Sequence, residues 1–389
     1  MDGGIMRKSV EKQKLMEILS EELMDFRGGN AIQHDLGDIL IIGLLCILCN
    51  GNTFVDMEMF GELHEDLLRQ FLSLKHGIPS HDTFGRVFAK LDPANLDACF
   101  SHWLGTLREQ VSTRHVSIDG KTIRGSGRGW NKAKHIVTAF ASDLQLVLGQ
   151  LNVGEKNNEI TEIPRLLDMF CVRKCTIKID AMGTQKEIAG KIIEKQGDYI
   201  LALKENHPAL LADIRLYAEQ EMLSQEQSLL RQQNLYAESV EKDHGRIETR
   251  QCWLMPDMSW LPQREEWPGL SGVAVIRSKR IRQSTGEESE SCRYFLYSDH
   301  GMTAERFLHL QRSHWCIENN LHWALDNVFH EDECQAYIEH AAEILNILRK
   351  LCLYLTKQET TWKAYMRSKC FRCASDLRYS FKILGFDVD

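Results

Sequence analysis

The apolar run Ile39–Cys49 is well short of the roughly 20 residues that a bilayer-spanning helix needs, so it reads as a buried helix. No secretory signal opens the chain. Positive charge is not in excess: 47 Lys and Arg stand against 55 Asp and Glu, a formal net charge of -8. That excludes the profile of a small basic nucleic-acid binder, so any nucleic-acid role must rest on local basic patches. The 12 cysteines in 389 residues fit no extracellular disulfide framework, and a reducing cytoplasm is the expected compartment. What remains is ordinary globular composition, 43% hydrophobic and 26% charged, long enough for roughly two or three domains.

The stretch Ser117-Ile118-Asp119-Gly120-Lys121-Thr122-Ile123-Arg124-Gly125-Ser126 concentrates chemistry. Residues 115–119 alternate like a strand that ends on a carboxylate. The β-branched run Cys175–Ile179 likewise ends on Asp180. Two strands that stop at aspartates can set both carboxylates side by side at a sheet end, as a divalent metal requires. Each aspartate taken alone reads first as a turn cap, and it is the pair, with a helical glutamate downstream, that points to a metal.

The first hundred residues read as helices. Val10–Phe26 has apolar residues at helical spacing, and Asp35 or Asp38 can cap the helix that runs to about Cys49. Residues Thr53–Phe60 and Glu62–Leu74 continue the pattern. Gly77-Ile78-Pro79-Ser80 then breaks the chain, and Ser80 or Asp82 can cap a following helix that exposes Arg86 and Lys90. Helix, turn, helix is the layout of a DNA reader and also of a plain helical bundle.

From about residue 112 to 208 the pattern turns to α/β. His115–Thr122 is a strand, and His135–Ser142 with Leu144–Val153 forms a hairpin. Ile160–Phe170 is helical with Asn157 or Asn158 at its start, and Lys174–Asp180 is the fourth strand. Thr184–Gln196 is a helix closed by Gly197, and Asp198–Leu203 is the fifth strand. Three strands, helix, strand, helix, strand is the order of an RNase H-like core, in which the first and fourth strands are neighbours. By that fold-level analogy Asp119 and Asp180 lie side by side. Residues 209–300 interrupt the core with a polar helix, Ala209–Tyr236, and strands within His244–Met255, Gly272–Ser278 and Cys292–Ser298. The charged piece Arg280–Glu290 reads as a solvated turn. Thr303 caps a long helix with an apolar stripe of Leu310, Ile317, Leu321, Ala324 and Val328. Glu318 sits on the flank of that stripe, with His314 four residues before it and His322 four after. That is the place of a solvated surface glutamate or of a carboxylate facing the sheet end.

Together "SIDGKTIRGS", "NNEITEIPRLL", "IKIDAMGTQKEIA", "DYILALKENHPAL", "DHGRIETR" and "RSHWCIENNLHWALDNVFHED" resemble the DDE transposases of the ISAs insertion-sequence group, also called H-repeat-associated proteins. "GIPSHDTFGRVFAKLDP" resembles the group's N-terminal associated domain. The resemblance runs from about residue 10 to 380. It implies an α/β fold: an RNase H-like catalytic core interrupted by a β-rich insertion, with a helical N-terminal domain. The corresponding boundaries are 1–110 for the DNA-binding helical domain, 111–208 for the first part of the core and 209–300 for the insertion. The core is completed over 301–358, and a basic tail follows over 359–389.

Carried over residue by residue, the catalytic and metal-binding triad falls on Asp119, Asp180 and Glu318. The wider group's Tyr-x2-Arg-x3-Glu-x6-Lys signature is not kept: its other places hold Gln311, His314 and Leu325, which leaves Arg312 or His314 to supply the basic group. Asp326, Glu331 and Asp332 are the fallbacks for Glu318.

The implied activity is cleavage of element ends and strand transfer on double-stranded DNA, by a homodimer in a bacterial cytoplasm, nucleoid-associated when bound, with no membrane role. A nuclease that cuts without joining, or an inactive DNA-binding relative, shares the same fold. Two Mg²⁺ ions, with Mn²⁺ able to substitute, can stabilise both the attacking and the leaving oxygen. Lys121, Arg124, Lys204, Arg312, His314 and Arg86 are the residues expected to contact DNA.

Three further features stand apart. Cys46-x-x-Cys49 and Cys370-x-x-Cys373 have the count of a four-cysteine zinc site, but the first pair lies in an apolar helix, where buried thiols are expected. His314, Glu318 and His322 share one helix side. Lys363, Arg367, Lys369, Arg372, Arg378 and Lys382 make the C-terminal stretch locally basic.

Overall fold

The computed structural model describes residues 19, 21–29, 32–108, 115–154, 158–224, 226–243 and 245–385. Most of the helix expected over Val10–Phe26 lies outside them. The chain divides into two compact units. One comprises Thr113–Gly120 and Val137–Ile317; the other comprises Met1–Ser112, Lys121–Ile136 and Glu318–Asp389.

The first unit is built on a mixed sheet. Its strands are β1 (His115–Thr122), β2 (His135–Ala141), β3 (Leu146–Asn152), β4 (Thr176–Ile179), β5 (Asp198–Leu203), β6 (Tyr236–Asp243), β7 (Arg246–Met255), β8 (Gly272–Arg282) and β9 (Glu288–Tyr297). Their order is β3-β2-β1-β4-β5-β9-β8-β7-β6. β1 runs parallel to β4 and β4 parallel to β5, which is the RNase H-like arrangement. β4 is buried along its whole length, as a central parallel strand of Thr, Ile and Lys must be.

The inserted segment does not fold apart from this core. Its strands continue the same sheet through the antiparallel pair β5–β9. Here the structure departs from the sequence reading in two places. The polar helix ends early, as Pro208–Ser224 plus a short Gln227–Gln232, and Tyr236–Asp243 is an edge strand. Arg280–Glu290 is not wholly a turn, because β8 extends to Arg282 and β9 begins at Glu288. In both places cross-strand ion pairs, Arg250–Glu241 and Lys279–Glu288 among them, let strongly charged sequence pair as strand.

The helix Ala304–Cys316 is opened by Thr303, whose hydroxyl accepts the Arg306 amide at 3.2 Å. Phe307, Leu308 and Leu310 pack with Ile200, Leu254, Ile276, Phe295 and Tyr297 in one buried cluster. The helix therefore covers the sheet face that carries the row Ser117, Lys178, Ile200 and Tyr297.

The second unit is helical. Asp35 caps Leu36–Leu48 by accepting the Gly37 and Asp38 amides, and all 13 residues of that helix are buried. Asp38 does not cap. It is buried and accepts the Ser73 and Leu74 amides at 3.3 and 2.9 Å. Thr53 and Asp56 form a capping box on Phe54–Leu63, and Ser80 caps His81–Lys90. Between those two helices stands only the single turn Glu65–Leu68, so no long helix precedes the break at Gly77.

These helices share a core with Ala341–Gln358: Arg349 donates to the Asn52 side chain at 2.5 Å, and the Cys352 thiol lies 3.5 Å from the Leu44 carbonyl. The N-terminal helices and the C-terminal segment are therefore one folding unit. The basic tail is folded through the helices Met366–Ser375 and Leu377–Leu384. Lys369 is buried on the Thr356 carbonyl, and Arg372 lies over the rings of Trp362 and Tyr379.

Candidate active site

In the sheet unit, Ile118 and Ile179 are register partners in the parallel β1–β4 pair, so Asp119 and Asp180 are the next residues of adjacent strands. Both are half-buried. Each carboxylate is oriented by its own turn: Asp119 Oδ1 accepts the Gly120 amide at 3.0 Å, and Asp180 Oδ1 accepts the Met182 amide at 3.0 Å.

The loop after Asp180 is tied down by residues that the sequence reading did not assign. The Asn206 amide donates to the Ala181 carbonyl at 2.6 Å, and the Thr184 hydroxyl donates to the Ala202 carbonyl at 2.6 Å. His207 Nε2 lies 2.7 Å from the Thr184 carbonyl. The Lys-Glu-Asn-His run after β5 thus serves to hold the aspartate-bearing loop of the neighbouring strand, which adjacency in the sheet makes possible.

Lys178, two residues before Asp180, was also missed. It is buried, its ammonium donates to Gln311 Oε1 at 2.5 Å, and it lies 6.0 Å from the centroid of the Phe295 ring. Burial pushes this ammonium well below the ordinary lysine range, and the charge of Arg293 adds to the effect. Gln311 thus clasps a lysine on the central strand. His309 meets His115 with ring centroids 6.3 Å apart. Since 309 lies by 115 and 311 by 178, whose register partner is Ser117, the helix advances in the same direction as β1 and β4.

In the helical unit, Ile317–His322 forms a π-helical turn, a feature common at functional sites. All five residues of the expected apolar stripe are buried. The Glu318 side chain is 51% exposed, and its carboxylate lies 3.7 Å from His322 Nδ1. Burial, with the charges of Lys350 and Lys121 adding to it, pushes buried His322 down to about 3.

The fallback carboxylates are otherwise engaged. Lys121 Nζ lies 2.8 Å from Asp326, 2.9 Å from Glu331 and 3.3 Å from Asp332. Glu331 is fully buried and also accepts from Asn346 at 2.7 Å. Burial opposes its charge, but Lys121 and Arg349 outweigh that and hold it below the usual carboxylate range. Burial likewise opposes the Lys121 charge, and Glu331 and Asp326 outweigh it.

Lys121 was expected to meet DNA phosphate. Its side chain is instead 12% exposed and committed to three carboxylates. Arg312 is partly exposed but ion-paired with Glu241. Arg124 is 83% exposed, and Lys204 and Arg86 are exposed. The side chain of His314 lies outside the described residues. Cys46, Cys370 and Cys373 are buried and Cys49 is half-buried, and among the described residues these thiols form no metal-holding group. Among the described residues, no helix is long and apolar enough to cross a membrane.

An RNase H-like sheet with aspartates just past the paired stretch of its first and fourth strands is the arrangement of the DDE class. Residues 111–355 match the family described as "Transposase DDE domain", residues 18–104 match "DDE_Tnp_1-associated", and the chain belongs to this transposase family. It is 35% identical to "Putative protein YbfL" and 35% identical to "H repeat-associated putative transposase YhhI", both of Escherichia coli strain K12. Each match covers 97% of this chain and 99% of the relative. It is also 37% identical to "Inactive transposase YbfQ" of the same organism, over 21% of this chain and 95% of that protein.

Proposed function

We propose that this protein cuts the ends of a DNA element and joins them to target DNA, acting as a homodimer through a site of Asp119, Asp180 and Glu318. The observation that carries the reading is the parallel register of β1 and β4, which brings two aspartates to adjacent strand ends. The third position rests on the carry-over of the family motif to Glu318, which lies on the π-helical turn Ile317–His322. Asp326, Glu331 and Asp332 are all engaged by Lys121 and so are poor alternatives.

The donor set fits a divalent ion such as Mg²⁺ or Mn²⁺: hard carboxylate oxygens on neighbouring strands, each held by a backbone amide. When bound, two such ions supply a nucleophilic oxygen at neutral pH and stabilise charge on the attacking and leaving oxygens. Asp119, Asp180 and Glu318 would hold the ions. Exposed Arg124 and Lys204 are the cations that would meet DNA phosphates. Asn206, His207 and Thr184 keep the Asp180 loop fixed while charge develops, and Lys178 with Gln311 sets the helix on the sheet. Arg86, on the helix His81–Lys90, contributes to end recognition.

The test is a supercoiled-plasmid nicking assay with Mg²⁺ on a plasmid bearing the element's flanking DNA. Asp119→Asn, Asp180→Asn and Glu318→Gln are each expected to abolish nicking while leaving gel-shift affinity for the same DNA within about threefold. Normal nicking by either aspartate variant sinks the two-metal site. Normal nicking by Glu318→Gln alone removes only the third ligand.

A further inference from the structure

Trp130 is 102% exposed, an indole with no native packing at all, and the loop that carries it is closely braced. At the base, the Ile123 amide donates to the Lys134 carbonyl at 2.9 Å, and the Lys134 amide donates to the Ser126 hydroxyl at 2.7 Å. That hydroxyl donates in turn to the Ile123 carbonyl at 2.6 Å. At the tip, Arg128 and Asn131 exchange two backbone hydrogen bonds of 3.1 Å around Gly129, whose φ is +60°. The Arg128 guanidinium lies 5.2 Å from the centre of the Tyr337 ring. A side chain at Gly125 would meet the Cys334 carbonyl at 2.5 Å, so the loop sits tightly against that backbone.

A connection of this kind needs only polar turn residues. Here a fixed two-residue tip instead presents a large aromatic to water, and the same loop carries three exposed cations. Arg124 is 83% exposed and shares Asp332, and Arg128 and Lys132 are exposed, in a chain of net charge -8. A braced loop that carries a solvent-facing aromatic and exposed cations complements a nucleic-acid strand: bases stack on the ring and phosphates meet the charges.

We propose that the hairpin Ile123–Lys134 is a DNA-contacting finger. Its Trp130 stacks on an unpaired base, and Arg124, Arg128 and Lys132 engage the flanking phosphates. The proposal rests on the reading that this protein acts on DNA.

The experiment compares the full-length protein with Trp130→Ala and Trp130→Phe. One probe is a duplex of about 30 base pairs with a short single-stranded gap carrying 2-aminopurine; the other is the same duplex without the gap. The wild type is expected to quench the 2-aminopurine and to prefer the gapped probe. Trp130→Ala should lose the quenching and weaken gapped-probe binding roughly 5- to 150-fold, the range for one stacked base. Its affinity for the intact duplex and its Tm should stay as in the wild type, and Trp130→Phe should keep most of the gapped-probe affinity.

Wild-type behaviour of Trp130→Ala on the gapped probe overturns the finger and leaves the DNA reading standing. The same holds if the substitution changes only the sedimentation coefficient, which makes the tip a contact between copies. Failure of the wild type to bind either probe overturns the DNA reading and the finger with it.

Discussion

Ile118 of β1 stands opposite Ile179 of β4 in parallel register, and the next residue of each strand is an aspartate. The spacing of the two carboxylates is therefore fixed by backbone hydrogen bonding rather than by side-chain packing. Asp119→Glu and Asp180→Glu keep the charge but move the carboxylate by about one methylene. Misplacement on that scale costs about 100-fold in rate. Both variants are expected to nick Mg²⁺-supplemented plasmid at least that much more slowly while binding DNA normally, and wild-type rates would show that the register does not set the chemistry.

Lys121 is an internal cation. Lys121→Met leaves buried Glu331 without its main countercharge, which is expected to cost about 3–5 kcal/mol in urea unfolding. The double variant Lys121→Met/Glu331→Gln should recover most of that loss. The salt dependence of DNA binding should not change in either, whereas a reduced slope would return Lys121 to the phosphate contacts.

Deleting residues 1–105 should unfold the helical unit. The helix Ala341–Gln358 is buried along nearly its whole length, and Arg349 and Cys352 on it contact Asn52 and Leu44. The truncated protein is expected to be insoluble or to lose the helical unit's cooperative melt. A soluble truncation with a sharp transition contradicts the shared helical core.

Glu359 gives a pH dependence. Burial raises its pKa, but hydrogen bonds from Thr361 and Tyr379 and the charge of Lys369 outweigh that and bring it from 4.5 down to about 2. A depressed carboxylate pKa means that the unfolded state binds more protons between these values. The stability Glu359 contributes is therefore complete above about pH 4.5 and lost as pH falls toward 2. The stability gap between wild type and Glu359→Gln should be widest near neutrality and narrow below pH 4.5, and a constant gap refutes the assignment.

The thiols test the alternative zinc reading. Burial raises the pKa of Cys49 and of Cys370 to about 12, so neither should react with a disulfide reagent at pH 8 until the protein is unfolded. Exposed Cys171 and Cys292 should react first. Stoichiometric zinc in the purified protein, released by thiol modification, counts against this.

The sequence alone was enough for the elements whose signals are local. β1 and β5 match their predicted bounds, His115–Thr122 and Asp198–Leu203, because short apolar runs bounded by turn residues leave little else to form. The neighbouring placement of Asp119 and Asp180 was legible only through fold-level analogy with an RNase H-like core, and the β1–β4 register bears it out. The sequence narrows the caps to pairs, Asp35 or Asp38, Ser80 or Asp82, and Asn157 or Asn158; Asp35, Ser80 and Asn158 are the ones that accept the first amides of their helices.

The tertiary structure decided what depends on partners distant in the chain. Lys121 reads as a surface cation until Asp326, Glu331 and Asp332, more than 200 residues away, close around it. Nothing local marks Lys178 as buried until Gln311 and Phe295 cover it. Tyr236–Asp243 is too polar to announce a strand, and only its pairing with β7 makes it one. In each case the free energy of the residue is set by contacts across the fold, and periodicity along the chain carries no record of them.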